Sequence, residues 1–319
     1  MLEWLHRQID LWTIELACGL VEKGRRRTNQ KELAEQLLSD PRLFLVPGRP
    51  AENFKQQAGK FTFESGFKSP WPENNLVHGR IQFHGESRGK PGIILLHGWN
   101  CEVAYQLMFP KLEQWFADEG FLAASIELPF HRSRKPSTPG AIGNFLSDDL
   151  VNLIHAIQQA FQDICSLGLW MKAQGATEIY VLGFSLGGYL AGAVLAHSQI
   201  FRGGVLITPM VRVGQLIKDV KFCEPIRSSL AMDPFNFEIL NLTSSKPVIP
   251  LDRVLLVQAS QDQFISGETI DQLHRSWNNG VELWKAPAGH ITIMMPGKRL
   301  KSIVKWLSAK ANRSSQTNH

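Results

Sequence analysis

Residues 179–188 read Ile-Tyr-Val-Leu-Gly-Phe-Ser-Leu-Gly-Gly, and residues 189–197 continue Tyr-Leu-Ala-Gly-Ala-Val-Leu-Ala-His. The apolar run Ile179 to Gly183 predicts a strand buried on both faces. Leu186 to His197 predicts a helix. Gly183-Phe184-Ser185-Leu186-Gly187 then occupies the turn between them, and in that setting Ser185 reads as a nucleophile. The reason is steric. A strand-to-helix turn this tight strains the backbone of its central residue, and side chains two residues to either side would collide, so Gly183 and Gly187 are needed. Gly188 lets the helix approach the sheet. Ser185 also comes to lie at a helix N-terminus, where free N–H groups favour a developing anion. The bland alternative is a glycine-rich turn with an incidental serine.

Outward from this turn the chain alternates strand and helix. Strands are predicted over 79–84, 92–96, 121–128, 204–208, 253–258 and 281–285. Helices are predicted over 102–118 (broken at Pro110), 148–174 (capped by Ser147), 267–277 and 293–308. That alternation predicts a mostly parallel central sheet with helices on both faces. The α/β domain is expected over 76–309, with a cap insertion at 209–249 that breaks the rhythm. Residues 1–75 read as an N-terminal extension, helical at first and irregular over 40–75, and residues 310–319 as a disordered tail.

Leu2, Leu5, Ile9, Trp12 and Leu16 recur at helix spacing. One reading is a helical cap packed on the main domain. The other is peripheral membrane contact through residues 1–24, with Trp4 and Trp12 in the lipid interface.

Composition narrows the function classes. The 319-residue chain is 44% hydrophobic and 20% charged, with a net charge of +5. Its basic residues fall in short runs, such as Arg25 to Arg27, rather than in the long stripe that nucleic-acid binding requires. The 4 cysteines show no metal-binding or disulfide pattern. Acidic residues interrupt the N-terminal apolar residues, no secretory signal is read there, and no long apolar span follows. A cytoplasmic location is the expectation.

A serine hydroxyl needs a base. Of the 10 histidines, His290 in Ala288-Gly289-His290 and His131 in Pro129-Phe130-His131-Arg132 both follow strands, and both are candidates. Asp262 follows strand 253–258 directly and is the candidate acid, against a plain turn aspartate. Acyl transfer also needs an oxyanion site. The candidate donors are the backbone N–H groups of Leu186 and of Trp99, the latter in His97-Gly98-Trp99-Asn100, where His97 reads as structural. Phe184, His131, Arg132 and Phe264 are candidate substrate-binding residues. Arg132, Arg134 and Lys135 together raise the option of an anionic substrate group.

Leu95-Leu96-His97-Gly98, Gly183 to Gly188, Gln261-Asp262 and Gly289-His290, in this order, resemble the α/β-hydrolase superfamily over residues 79–308. A narrower likeness is to the family of α/β-hydrolase domain-containing protein 18 and its bacterial relatives. It rests on Glu127 to Pro136, Val257 to Asp262 and Gly289-His290-Ile291. The Pro129–Pro136 segment replaces the small turn many relatives carry after this strand. The resemblance implies an α/β-hydrolase fold and the chain order serine, acid, histidine, which selects Ser185, Asp262 and His290 as the catalytic set. It implies a serine hydrolase acting on a small-molecule carboxylic ester or thioester, with no metal or organic cofactor. A non-catalytic binding protein on the same fold and a membrane-surface lipase or phospholipid deacylase stay open as alternatives. The sequence leaves the oligomeric state undetermined.

Overall fold

The computed structural model describes residues 2–21, 29–86, 88–137, 145–231 and 234–316. The Arg25–Arg27 run, two residues of the insertion and the last three residues of the tail lie outside these.

Nine strands form one sheet: β1 (Glu52–Gln57), β2 (Lys60–Glu64), β3 (Leu76–Gln82), β4 (Gly92–Leu96), β5 (Leu122–Ile126), β6 (Ile179–Phe184), β7 (Phe201–Ile207), β8 (Val254–Ala259) and β9 (Glu282–Ala286). Their order is β1-β2-β3-β5-β4-β6-β7-β8-β9. The first three strands pair antiparallel and β5 onward is parallel. The helices are α1 (Leu2–Ala17), α2 (Gln30–Ser39), α3 (Glu102–Leu107), α4 (Phe109–Asp118), α5 (Leu150–Ala173), α6 (Leu186–His197), α7 (Val213–Asp219), α8 (Glu224–Ala231), α9 (Gly267–Ser276) and α10 (Lys298–Gln316).

The strand period of two distributes side chains between two cores. Ile94 and Leu96 of β4 join the cluster that contains α5 and α6, whereas Ile93 and Leu95 join the one that contains α4 and α10. The central strands are buried from end to end. This explains why they read as continuous apolar runs rather than alternating ones. Strand order reverses around β4, and at such a switch point the carboxyl ends of parallel strands open into a crevice. Ser185 follows β6, Asp262 follows β8 and His290 follows β9, so all three residues emerge at that edge of the sheet.

Three expectations need correction. Residues 40–75 are not wholly irregular: β1 and β2 form a hairpin that extends the sheet, so the sheet starts inside the expected N-terminal extension. β1 is an exposed edge strand, Glu-Asn-Phe-Lys-Gln-Gln, with almost no apolar signal. Its turn places Ala58 at φ 49° beside Gly59 at φ 73°, and alanine is an unusual occupant of that region. The N-cap of α5 is Asp149 rather than Ser147; its carboxylate accepts from the Asn152 N–H at 3.0 Å. The expected disordered tail is helical as far as Gln316.

The helix α1 packs on the domain by its other face. Its buried residues are Asp10, Ile14 and Ala17. The apolar stripe points mostly the other way: Leu2, Leu5, Trp12 and Leu16 are 68%, 46%, 69% and 62% exposed, and Trp4 beside them is 64% exposed. The stripe therefore does not pack α1 on the domain. The inward face is polar at its centre because it meets backbone N–H groups rather than apolar side chains.

Candidate active site

Ser185 has φ 54° and ψ −114°, a conformation that L-residues rarely adopt. The surrounding packing enforces it. A Cβ on Gly183 would lie 2.0 Å from the Gly187 carbonyl oxygen, and one on Gly187 would lie 2.4 Å from the Leu96 carbonyl oxygen. These approaches are far below contact distance, so both positions require glycine. The Ser185 N–H is committed to the Ile207 carbonyl at 2.9 Å, which locks the turn onto β7. As the first residue of α6, Leu186 carries an N–H without an intrahelical partner.

Asp262 and His290 meet across the ends of β8 and β9. The imidazole Nδ1 and Asp262 Oδ2 are 2.7 Å apart. Asp262 Oδ1 accepts from the Phe264 and Ile265 N–H groups, each at 2.8 Å, so the carboxylate is fixed by its own loop. Phe264 stacks on the His290 ring with centroids 4.6 Å apart. Burial works against the imidazolium, but the Asp262 carboxylate and, beyond it, Asp10 outweigh that and raise the His290 pKa above its ordinary value. A general base acts in its neutral form. The acid limb of kcat/KM is therefore expected to lie above about pH 6.5, the ordinary histidine value. A pH–rate profile checks this, and a limb at or below that value contradicts it.

Ser185 and His290 line one cavity of ≈ 90 Å³ together with Leu186, Trp99 and Phe264. Its remaining wall is largely apolar. Met210, Leu216 and Phe222 come from the insertion, and Thr13 and Ala17 from α1. Trp99 stacks on Phe222 at 4.7 Å, tying the loop after β4 to the insertion. In the resting structure Ser185 Oγ and His290 make no hydrogen bond; such contacts commonly tighten only when substrate binds.

Three candidate substrate-binding residues lie outside the cavity. Phe184 is buried in the sheet core against Phe109. His131 is buried behind the loop after β4, where Nε2 accepts the Asn100 N–H at 3.2 Å and Nδ1 donates to the Pro129 carbonyl at 2.8 Å. Burial pushes its pKa down to about 4, so it stays neutral and braces the loop. Arg132 pairs with Glu127 at 2.9 Å and packs over the Tyr105 ring. The two neighbouring cations are engaged as well. Arg134 is fully buried, bonded to Asp163 at 2.8 Å and to the Asn74 and Glu127 carbonyls, and Lys135 pairs with Glu102 at 2.7 Å. The Pro129–Pro136 segment is thus a structural knot, which removes the basis for an anionic substrate subsite there. His97 is structural: Nδ1 donates to the Gly98 carbonyl at 2.7 Å and Nε2 accepts the Leu128 N–H at 3.0 Å.

A sequence profile of the alpha/beta hydrolase family matches residues 93–277, more than half of the chain. The chain belongs to the alpha/beta hydrolase family. Solved structures of similar fold include the esterase Pf2001 of Pyrococcus furiosus, at 18% identity and TM-score 0.54, covering 91% of this chain and 98% of that one. An acetyl xylan esterase from a Paenibacillus species shows 14% identity and TM-score 0.57, covering 91% and 96%. An acylaminoacyl peptidase of Pyrococcus horikoshii shows 16% identity and TM-score 0.51, covering 82% of this chain and 42% of that one. At these identities the likeness is one of fold. No curated protein matches, and nothing among these findings supports the narrower likeness to α/β-hydrolase domain-containing protein 18. In this alpha/beta hydrolase the mostly parallel sheet is continued by the β1–β2 hairpin, and α1 forms part of the cavity wall.

Sequence reasoning missed Asp10. It is fully buried, and its carboxylate accepts three backbone N–H groups from the two loops that carry Asp262 and His290. In the sequence Asp10 is one more acid on the polar side of an amphipathic helix, and no local signal marks this contact.

Proposed function

We propose that this alpha/beta hydrolase is a serine hydrolase that cleaves a small carboxylic ester or thioester through an acyl-enzyme on Ser185. The observation that carries the reading is the strained Ser185 facing the same cavity as His290, whose Nδ1 lies 2.7 Å from Asp262. Ser185 Oγ attacks the acyl carbon and His290 Nε2 takes its proton. The oxyanion is held by the N–H groups of Leu186 and Trp99. Collapse of the tetrahedral intermediate breaks the bond to the leaving group, which receives the proton from His290. Water, deprotonated by His290, then attacks the acyl-enzyme and releases the acid. Asp262 orients the imidazole and stabilises its charged form.

The cavity favours short apolar acyl groups. A volume of ≈ 90 Å³ holds only a few water-sized groups. Thioester or ester hydrolysis is therefore expected to be fastest with acetyl to hexanoyl groups and to fall at least about tenfold for dodecanoyl. A panel of p-nitrophenyl acetate, hexanoate and dodecanoate tests this. A preference for dodecanoate would overturn the size limit, and turnover of no ester would favour a non-catalytic binding protein.

One observation favours a second element, contact with a membrane surface through α1. Its outer face exposes Trp4, Trp12, Leu2 and Leu16. In sequence it is followed by Arg25-Arg26-Arg27, and the chain carries a net charge of +5. Tryptophans on an apolar face with basic residues nearby suit an anionic bilayer. No described helix is long and apolar enough to cross a membrane. The full chain is expected to co-float with phosphatidylserine vesicles, and a Trp4→Ser, Trp12→Ser double variant to remain at the bottom of the gradient. Wild-type protein that fails to float would restrict the reading to an esterase acting in solution.

A further inference from the structure

Resting on the hydrolase reading above, we infer that Asp10 is a positioning residue for that site: its carboxylate clamps together the loops carrying Asp262 and His290, making α1 part of the catalytic machinery. Asp10 Oδ2 accepts the His290 N–H at 2.7 Å and the Gln263 N–H at 3.1 Å, while Oδ1 accepts the Ile291 N–H at 3.0 Å. Gln263 directly follows Asp262, so one carboxylate binds the backbone of the base and the backbone next to the acid. These loops leave different strands, β8 and β9, and their spacing sets the Asp262–His290 contact. Hydrogen bonds to a carboxylate are stronger than neutral ones, and these hold the loops in register without touching the imidazole.

The contact is built for close approach. A Cβ on Gly289 would lie 2.8 Å from both Asp10 Oδ1 and the His6 carbonyl oxygen, so only glycine lets α1 settle on this loop. A second anchor lies beside it: His6 Nδ1 and Thr292 Oγ1 are 2.8 Å apart, and the same hydroxyl accepts the Gly289 N–H at 2.9 Å. Farther along the helix, Thr13 and Ala17 line the cavity.

Burial pushes the Asp10 carboxyl upward, and its three N–H donors and His290 oppose this. Together with Asp262, the carboxylate favours the protonated imidazole. The titratable groups facing His290 are Asp262 on its own edge and Asp10 from α1, with the Cys101 thiol in the cavity wall and His6 behind Thr292. Burial pushes that thiol up to about 12, which leaves it uncharged.

Asp10→Asn replaces one acceptor oxygen with an NH2 group that faces N–H donors. In the full chain, two readouts are expected to move. The His290 pKa, followed by NMR titration of the imidazole, falls by about half a unit to one unit. Labelling of Ser185 by a fluorophosphonate slows at least about tenfold. Glu15→Gln, which weakens the exposed Glu15–Lys221 pair on the same helix, changes neither. Wild-type labelling rate and pKa in a folded Asp10→Asn variant would overturn the proposal. So would equal effects from Glu15→Gln, since helix docking alone would then explain them. If Asp10→Asn does not fold, amide exchange on the wild type decides: Gln263, His290 and Ile291 are expected to be protected, and exchange at free-loop rates overturns the clamp. If the wild type resists labelling while the His290 pKa still responds to Asp10, the hydrolase reading fails and the positioning role stands.

Discussion

Ser185→Ala is expected to lower kcat by about five to six orders of magnitude, the scale seen when a serine nucleophile is removed from such a triad. The substitution deletes only the hydroxyl. Alanine keeps the Cβ and therefore the same crowded turn, with Gly183 and Gly187 still packed on their neighbours and φ still near 54°. The melting temperature should stay near that of the wild type, so the loss reads as chemistry rather than unfolding. The proposed oxyanion donors and the cavity persist, and they would account for the small rate that remains above water. Steady-state kinetics on a short-chain ester, with thermal melts alongside, check both halves. A variant within tenfold of wild type would remove Ser185 from the mechanism.

Asp262→Asn is expected to lower kcat by about four orders of magnitude. Here the local hydrogen bonds dictate which way the new amide sits. Asp262 Oδ1 accepts from the Phe264 and Ile265 N–H groups, so the asparagine carbonyl oxygen takes that position. The NH2 group then faces His290 Nδ1, now 2.7 Å from Oδ2. Two donors cannot share that contact, so Nδ1 becomes the acceptor and the proton moves to Nε2. An imidazole protonated at Nε2 cannot take the serine proton. Removal of the carboxylate also lowers the His290 pKa, so the small remaining activity should show its acid limb at lower pH. A loss below tenfold, with the fold intact, would mean that Asp262 does not set the tautomer.

Much of this site is legible in the sequence, because its strongest constraints are local. Gly183, Ser185 and Gly187 lie within five residues, and the collision that demands glycine arises mainly between those residues and the strands directly beneath them. Buried strands such as Ile93-Ile94-Leu95-Leu96 announce themselves by composition, and Asp262 and His290 follow their strands immediately. What stays hidden is non-local. Asp10 is separated from Gln263 and His290 by most of the chain, and nothing in the α1 pattern reveals that two loop backbones need a carboxylate. The apolar stripe of α1 even points to the wrong face, since hydrophobic periodicity assumes that the apolar side is the buried one. The basic cluster at Arg132, Arg134 and Lys135 misleads for a related reason. Charge on a loop after a strand suggests a binding site, but Asp163, Glu127 and Glu102 come from distant or intervening segments and neutralise it. The β1–β2 hairpin escapes notice because an edge strand needs no apolar alternation.

The most direct measurement is mass-spectrometric mapping of the fluorophosphonate adduct on the full chain. A single adduct on the peptide containing Ser185, absent from Ser185→Ala and strongly slowed in His290→Ala, is the expected result. Ester hydrolysis with no adduct at Ser185, or an adduct that forms equally well without His290, would contradict the assignment of Ser185 as a nucleophile activated by His290.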